Sequence, residues 1–422
     1  MIVNIPYGKN LINLNLPDKN VVAILQSIEF NGAIDQLGIV REALNKSIRS
    51  KPLAHTSAEK RRICIVVSNY TRATPNRILL PLIIDVLKRA GRKMDEIKIL
   101  VAYGLHKPAP KELEVEFLGK EIEVLSHDAE DENSLTYVGK TSFGTTFSVN
   151  NLILKSDLVI LTGLIEPHFF AGYSGGRKSI LPGVSSKEAI YTNHSFKMIM
   201  HPLSRYGILD GNPVHEDMVE AARMISTQMF LVNVVIDKRH RIIGAFTGDI
   251  YGAHLKGVKF LDKYVRVKAP LKADIVVTSN GGYPLDRDLY QAVKGIATGE
   301  LVTRRGGVIV LFAECVDGIG RGHEEFYRLM AEAKNPDDVL ERIKREEPIN
   351  DQWEAQILSR ILRDMKVIIV TRGVKHSLIE EMHMIPASSP EEAIREAYNL
   401  VGGDSRIIII PEGPYIIPVV EP

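Results

Sequence analysis

The 422-residue chain is 45% hydrophobic and 25% charged with a formal net charge of +1, the make-up of an ordinary soluble protein long enough for two domains. So even a balance gives no electrostatic footprint for nucleic acid or an anionic membrane, and any ligand must be held by a local site. Two cysteines, Cys64 and Cys315, are too few for a disulfide scaffold and sit in apolar runs as buried, reduced thiols; with no apolar run near the ~20 residues of a membrane span and no signal-peptide pattern, a cytoplasmic location is expected.

Taken in order, Ile2 to Ile5 and the alternating Ile12-Asn13-Leu14-Asn15-Leu16 predict a β-hairpin about Gly8-Lys9-Asn10, and Glu42 to Ile48 a helix. Arg62 to Val67 is an apolar strand that runs into a polar loop holding Asn69 and Arg72, followed by a helix from Ile78 to Ala90 with Thr74 as its N-cap and Pro75 in its first turn. Ile97 to Ala102 repeats the pattern, with His106 in the loop and a short helix at Lys111 to Phe117. A short strand at Ile122 to Val124 and a hairpin turning near Gly144 lead to a third strand, Asp157 to Leu161.

That third strand opens the stretch Gly163 to Lys178, a long strand-to-helix loop containing His168, Gly172, Gly175, Gly176, Arg177 and Lys178, and His194 follows the next helix start at Ser185. Open α/β sheets place ligands at such strand ends; the glycines let backbone approach an anion, and Arg177 and Lys178 supply positive charge. Any one of these residues alone reads as a surface group, but their shared placement points to one site.

A helix at Met218 to Ile225, strands at Phe230 to Ile236 and Arg241 to Phe246, and a helix at Tyr251 to Val265 complete this part. Lys268 to Lys272 reads as a linker, and a second β-loop-α series begins at Ala273. Its helix from Leu289 to Ile296 carries Tyr290, and puts Gln291 and Lys294 on one face. After the Gly307 to Phe312 strand, Asp317 to Gly322 is G-x-G-x-G rather than G-x-G-x-x-G and comes late in the chain, which argues against a dinucleotide. Trp353 opens another helix, Val367 to Val370 is a strand, a last helix starts at Pro390, and Arg406 to Ile410 and Tyr415 to Val420 are strands. The expected fold is therefore α/β, with two α/β domains and a cleft between them: 1–268, and 269–390 closing the site, with 391–422 returning to the first domain.

His106, His168 and His194 lack short-range metal-ligand spacing, but imidazoles near an Arg and a Lys suit reversible proton abstraction from a small organic acid. At these residues the chain resembles the nickel-dependent lactate racemase family, the catalytic subunit and its 2-hydroxyacid racemase and epimerase relatives. The resemblance rests on Thr71-Arg72 with Pro75, Gly104-Leu105-His106, Glu166-Pro167-His168, Gly172-Tyr173-Ser174-Gly175-Gly176-Arg177-Lys178, Asn193-His194, Tyr290-Gln291 with Lys294, and Asp351-Gln352-Trp353.

The cofactor implied by the resemblance is a nickel-pincer nucleotide, a pyridinium-3-thioamide-5-thiocarboxylic acid mononucleotide that binds nickel through sulfur, carbon and sulfur. The resemblance implies that Lys178 forms the thioamide link and that His194 is the protein ligand to nickel. His106 and His168 would be the acid and base on opposite sides of the substrate. One would take the hydroxyl proton while the Cα hydride moves to the cofactor and back on either face. Arg72, Gln291 and Lys294 would hold anions of substrate or cofactor, with Tyr290 and Trp353 shaping the site and Gly175 and Gly176 admitting the cofactor phosphate. Partners implied are the small 2-hydroxy acid and the cofactor-synthesis enzymes, without which the chain is expected to be apo.

The departure is Asn69, where the family usually has aspartate three residues before the arginine, a change that bears on which acid is used. Two other readings stay open: a non-catalytic carrier of a small organic acid, and a His-metal hydrolase, which is disfavoured because no carboxylate accompanies the histidines in a ligand pattern.

Overall fold

The structure, a computed structural model, describes residues 1–30, 32, 34–69, 72–108 and 121–420. The chain forms two compact units. The N-terminal unit comprises Glu29–His194 and His201–Lys263, and the C-terminal unit comprises Met1–Ile28, Ser195–Met200 and Tyr264–Pro422.

In the N-terminal unit six strands form one sheet in the order Ile242–Gly248, Gln228–Ile236, Leu158–Leu164, Ile63–Ser68, Ile97–Ala102 and Glu123–Ser126. All neighbours are parallel except the first pair. The central strands are apolar along their length because helices cover the sheet, as parallel sheets require. Ile63, Ile65, Val67, Ile99, Val101 and Ile160 pack with Leu79, Leu80, Ile83 and Leu87 of the helix Asn76–Arg89. The expected helix at Glu42 to Ile48 begins earlier, spanning Gln36–Asn45, because the Asp35 carboxylate caps it by accepting from Gly38 N–H. The helix expected at Lys111 to Phe117 lies outside the described residues, as does Thr71.

The C-terminal unit holds a wholly parallel six-stranded sheet ordered Ile385–Ala387, Lys366–Val370, Thr303–Phe312, Ala273–Ser279, Ile407–Ile410 and Val21–Ile24. The C-terminal segment returns to the start of the chain here, since Ile407–Ile410 pairs with Val21–Ile24 on one side and Ala273–Ser279 on the other. The predicted N-terminal hairpin forms as Ile2–Tyr7 with Asn10–Asn15 and lays Val3, Ile5 and Leu14 onto the same core as Val277, Val310 and Ile409. Lys268 is not in a linker: Arg266–Ala269 is a strand paired with Ile417–Val420. The helices Pro336–Arg345 and His376–Glu381 and the strand Val21–Ile24 had no counterpart in the sequence reading.

Ile409 is fully buried between its two neighbouring strands. Ile409→Ala is expected to destabilise this unit by about 2–5 kcal/mol, read as a lower urea midpoint at unchanged slope.

Candidate active site

Leu158–Leu164, Ile63–Ser68 and Ile97–Ala102 are consecutive parallel strands of one sheet, so their C-terminal ends lie on one edge. Asn69 and Arg72 follow the middle strand, His106 follows one neighbour and His168 the other. The chain also changes direction here. From Ile63–Ser68 it adds two strands on one side, then Leu158–Leu164 and Gln228–Ile236 on the other, a topological switch point of the kind that opens a ligand crevice.

The strand-end loops are tied together. Arg72 Nη1 lies 3.4 Å from Glu166 Oε1, joining the loop of the middle strand to that of Leu158–Leu164. Asn69 Nδ2 donates to Ala102 O at 3.2 Å, and Gly104 N–H donates to Gly183 O at 3.0 Å. Thr74 is not the expected N-cap: its hydroxyl is 2.8 Å from Ser68 Oγ, and the helix begins after Pro75 without a side-chain cap. His106 is half-buried in a turn closed by its N–H donating to Tyr103 O.

The loop after Leu164 folds on itself. Pro167–His168 pairs antiparallel with Gly172–Tyr173, and Ser174 Oγ donates to Leu164 O at 2.7 Å while accepting from Glu166 N–H at 2.9 Å. Arg177 does not offer its charge to a ligand, as the sequence suggested. It is 1% exposed, and donates from Nη2 to Ala171 O at 2.7 Å and from Nη1 to Gly175 O at 3.3 Å. Burial lowers its pKa to about 9, so it stays charged at neutral pH and serves the loop that carries it.

Lys178 is thereby left as the half-buried cation of the pair, its Nζ 5.6 Å from the centre of the Phe170 ring. Phe170 also meets His168 edge-on at 4.5 Å and His194 at 5.0 Å between ring centres. One aromatic ring thus gathers His168, Lys178 and His194. His168 is buried, with Nδ1 accepting from Ala171 N–H at 3.3 Å. His194 ends the helix Lys187–Asn193, which Ser186 caps. Burial, and after it the charge of Lys178, holds the His194 pKa well below its ordinary value, so the imidazole is neutral and able to donate to a metal.

The residue before it is anchored deeply. Asn193 Nδ2 donates to Asp217 Oδ2 at 2.7 Å, and Asp217 also accepts from the hydroxyls of Thr141 at 2.6 Å and Thr145 at 2.8 Å. Burial raises the pKa of Asp217.

Gly175 and Gly176 have positive φ, and a Cβ on them would stand 2.5 Å from Asn233 Oδ1 and 2.8 Å from His254 Cγ respectively. The Gly176 N–H donates to Asn233 Oδ1 at 2.7 Å. Packing within the unit accounts for both glycines, and that amide is engaged by protein rather than turned to an anion.

The remaining predicted residues belong to the C-terminal unit. Gln291 and Lys294 share a helix face as expected, with Lys294 Nζ donating to Gln291 Oε1 at 2.6 Å. Trp353 Nε1 donates to the buried Tyr290 hydroxyl at 2.9 Å. Burial, then the charges of Asp351 and Glu354, raises the Tyr290 pKa well above its ordinary value, so the phenol stays protonated. Sequence reasoning missed Phe170, Asp217 and His254 as members of these clusters. Only Phe170, two residues from His168, carried a local signal. Among the described residues no three His, Cys, Asp or Glu side chains are grouped to hold a metal ion.

Comparison with known proteins identifies the family. The model of the lactate racemase N-terminal domain matches residues 7–207, and that of the lactate racemase C-terminal domain matches 268–418. The chain belongs to the lactate racemase family. Lactate racemase of Thermoanaerobacterium thermosaccharolyticum is 41% identical over 98% of both chains, and that of Lactiplantibacillus plantarum is 37% identical over 98% of this chain and 99% of its own. The solved lactate racemase apoprotein of T. thermosaccharolyticum superposes with a TM-score of 0.93 at 40% identity over the full length of both. A Thermotoga maritima protein with a TM-score of 0.71 and 19% identity, covering 93% of this chain and all of its own, shares the fold. The chain is accordingly an isomerase of this family, its fold the family's mixed α/β pair of sheets.

His254 Nε2–H donates to Ser174 O at 2.9 Å beside Arg177, and burial followed by the Arg177 charge lowers its pKa to about 3. His215 is lowered to about 2 by burial, then by Arg177 and His254. Both folded values lie below the unfolded value near ~6.5, so as pH falls below that value the unfolded chain binds protons that the folded chain refuses. Stability should rise with pH up to ~6.5 and level off above it, with a slope of up to about 1.4 kcal/mol per pH unit for each histidine. Denaturation midpoints at pH 7 and pH 5 test this: the wild type should drop, and His254→Gln, which keeps a donor for Ser174 O, should drop less.

Proposed function

We propose that this isomerase racemises or epimerises a small 2-hydroxy acid, with a nickel-pincer nucleotide linked to Lys178 and ligated through His194. The observation that carries this reading is the gathering of Lys178, His194 and His168 about the Phe170 ring. A group joined to the protein at Lys178 and bound through a metal at His194 needs those two side chains close together and of complementary character. It needs a neutral imidazole, which burial supplies. It also needs a lysine amine within reach, which Lys178 offers.

Bound there, the cofactor supplies an acceptor and donor for the substrate's Cα hydride. The chain's own residues do the rest. His106 and His168, in the loops after the strands that flank the one leading to Arg72, exchange the hydroxyl proton as acid and base. Arg72, half-exposed and shared with Glu166, holds the substrate carboxylate by charge-assisted hydrogen bonding. Gln291 and Lys294 offer an amide and an ammonium from one helix face for anions of substrate or cofactor.

The test is intact mass with nickel content on chain co-produced with cofactor-synthesis enzymes. Wild type should carry added mass localised to Lys178 together with nickel; Lys178→Ala should lose the added mass, and His194→Ala should lose nickel while keeping its fold by circular dichroism. An unmodified Lys178 without nickel, under conditions where a known family member is loaded, would overturn the assignment of the cofactor to Lys178 and His194. Because an aspartate at 69 cannot donate to Ala102 O as Asn69 does, Asn69→Asp should alter the kcat/KM ratio between two 2-hydroxy acids by about tenfold, and an unchanged substrate profile would count against a role for Asn69 in selectivity.

A further inference from the structure

The glycine-rich loop Asp317 to Gly322 packs on the start of the helix Leu289–Glu300. Its carbonyls are what face the neighbouring helix: Gly318 O accepts from Leu289 N–H at 3.0 Å and Ile319 O from Tyr290 N–H at 3.1 Å, while Gln291 N–H is taken by Asp288. The loop thus closes the N-terminus of the helix that carries Tyr290, and then delivers His323. The His323 ring lies flat on Tyr290, with ring centres 3.6 Å apart and planes 2° from parallel. Gly320, at φ +122°, permits this seating, since a Cβ there would stand 2.9 Å from His323 Cδ2.

Asp351 completes the cluster. It occupies the N-cap position of the helix Gln352–Asp364, where a carboxylate ordinarily accepts from the helix's first amides, yet it makes no capping bond and adopts φ +64°. Its carboxylate is committed elsewhere: Oδ2 is 2.8 Å from His323 Nδ1. A residue that forgoes its cap and holds a left-handed backbone to orient a histidine is the kind of local strain found at functional sites. The His323 side chain is 14% exposed. With Nδ1–H donated to a buried carboxylate, the nitrogen left for a ligand is Nε2, the arrangement in which one group orients the working atom of another.

We propose that His323 is a further ligand-binding residue of the C-terminal unit, its Nε2 accepting a hydrogen bond from a hydroxyl group of the bound ligand. This rests on the proposal above that a 2-hydroxy acid and a nucleotide cofactor bind this protein. The hydroxyl can come from the 2-hydroxy acid or from the sugar of the cofactor, and the two sources respond to different additions.

The experiment is imidazole ¹⁵N NMR on the full chain labelled at histidine, apo and cofactor-loaded, with a panel of 2-hydroxy acids (glycolate, lactate, malate, 2-hydroxybutyrate) and their deoxy counterparts. A His323 Nε2 shift with a hydroxy acid and not with its deoxy counterpart supports the proposal and assigns the hydroxyl to substrate. A shift on cofactor loading alone supports it and assigns the hydroxyl to cofactor. An Nε2 resonance unmoved by every addition overturns it.

Kinetics supplies the second arm. His323→Asn keeps a donor for Asp351 but lacks the outer nitrogen, and should lose at least tenfold in kcat/KM with an unchanged melting temperature. His323→Gln, which reaches the outer position, should recover most of that loss. If wild type racemises an acid and His323→Asn matches it, the proposal fails and the racemase reading stands. If wild type racemises none of the panel while Nε2 still responds to a hydroxyl, the racemase reading fails and the proposal stands.

Discussion

The site of the N-terminal unit depends on one buried guanidinium. Arg177 donates from Nη2 to Ala171 O and from Nη1 to Gly175 O, carbonyls of its own loop, and so fixes the path between His168 and Lys178. Removing so large a charge from water is unfavourable without satisfied hydrogen bonds, so the loop cannot open without stranding either the cation or the carbonyls. The alternation of roles along the chain follows from this: Arg177 points inward to organise, and Lys178, one residue on, is left turned toward Phe170. His254 and Asn233 fill the space under the two glycines, so the loop is shaped from beneath as well as from within.

Around that loop the parallel sheet does what such sheets do, presenting successive strand ends on one edge. The physical requirements of the proposed chemistry are met by environment more than by residue type. Burial makes His194 a neutral donor, a buried carboxylate network through Asp217 fixes the residue before it, and a solvent-facing ion pair leaves Arg72 accessible. The C-terminal unit uses the same logic with different parts: a carboxylate withdrawn from capping duty holds an imidazole in one orientation.

Much of this was legible in the sequence because strand ends announce themselves. Apolar runs at 63–67, 97–102 and 157–161 stop abruptly at polar residues, which places Arg72, His106 and His168 on one edge without knowledge of the third dimension. What the sequence hid were contacts between distant segments. Nothing local marks Asp217 as the anchor of Asn193, or Asp351 as the holder of His323, and neighbours in sequence such as Arg177 and Lys178 look alike until burial separates them. Thr74 before Pro75 reads as a cap by pattern, but the hydroxyl of Ser68 competes for it. Lys268 to Lys272 looks like a linker because its partner strand, Ile417–Val420, lies at the far end of the chain.

That last kind of pairing bears on the order of assembly during synthesis. Asn20 bonds to the carbonyl of Ser405, 385 residues away, and Val21–Ile24 has its only sheet neighbour among the described residues in Ile407–Ile410. As the ribosome extends the chain, every residue of the N-terminal unit has been joined once Lys263 is made, whereas the first strand of the C-terminal sheet must stay unpaired until nearly the whole polypeptide exists. Its brevity and its half-exposed, alternating side chains suit that wait, since a short strand of this kind offers other nascent chains a poor edge to join.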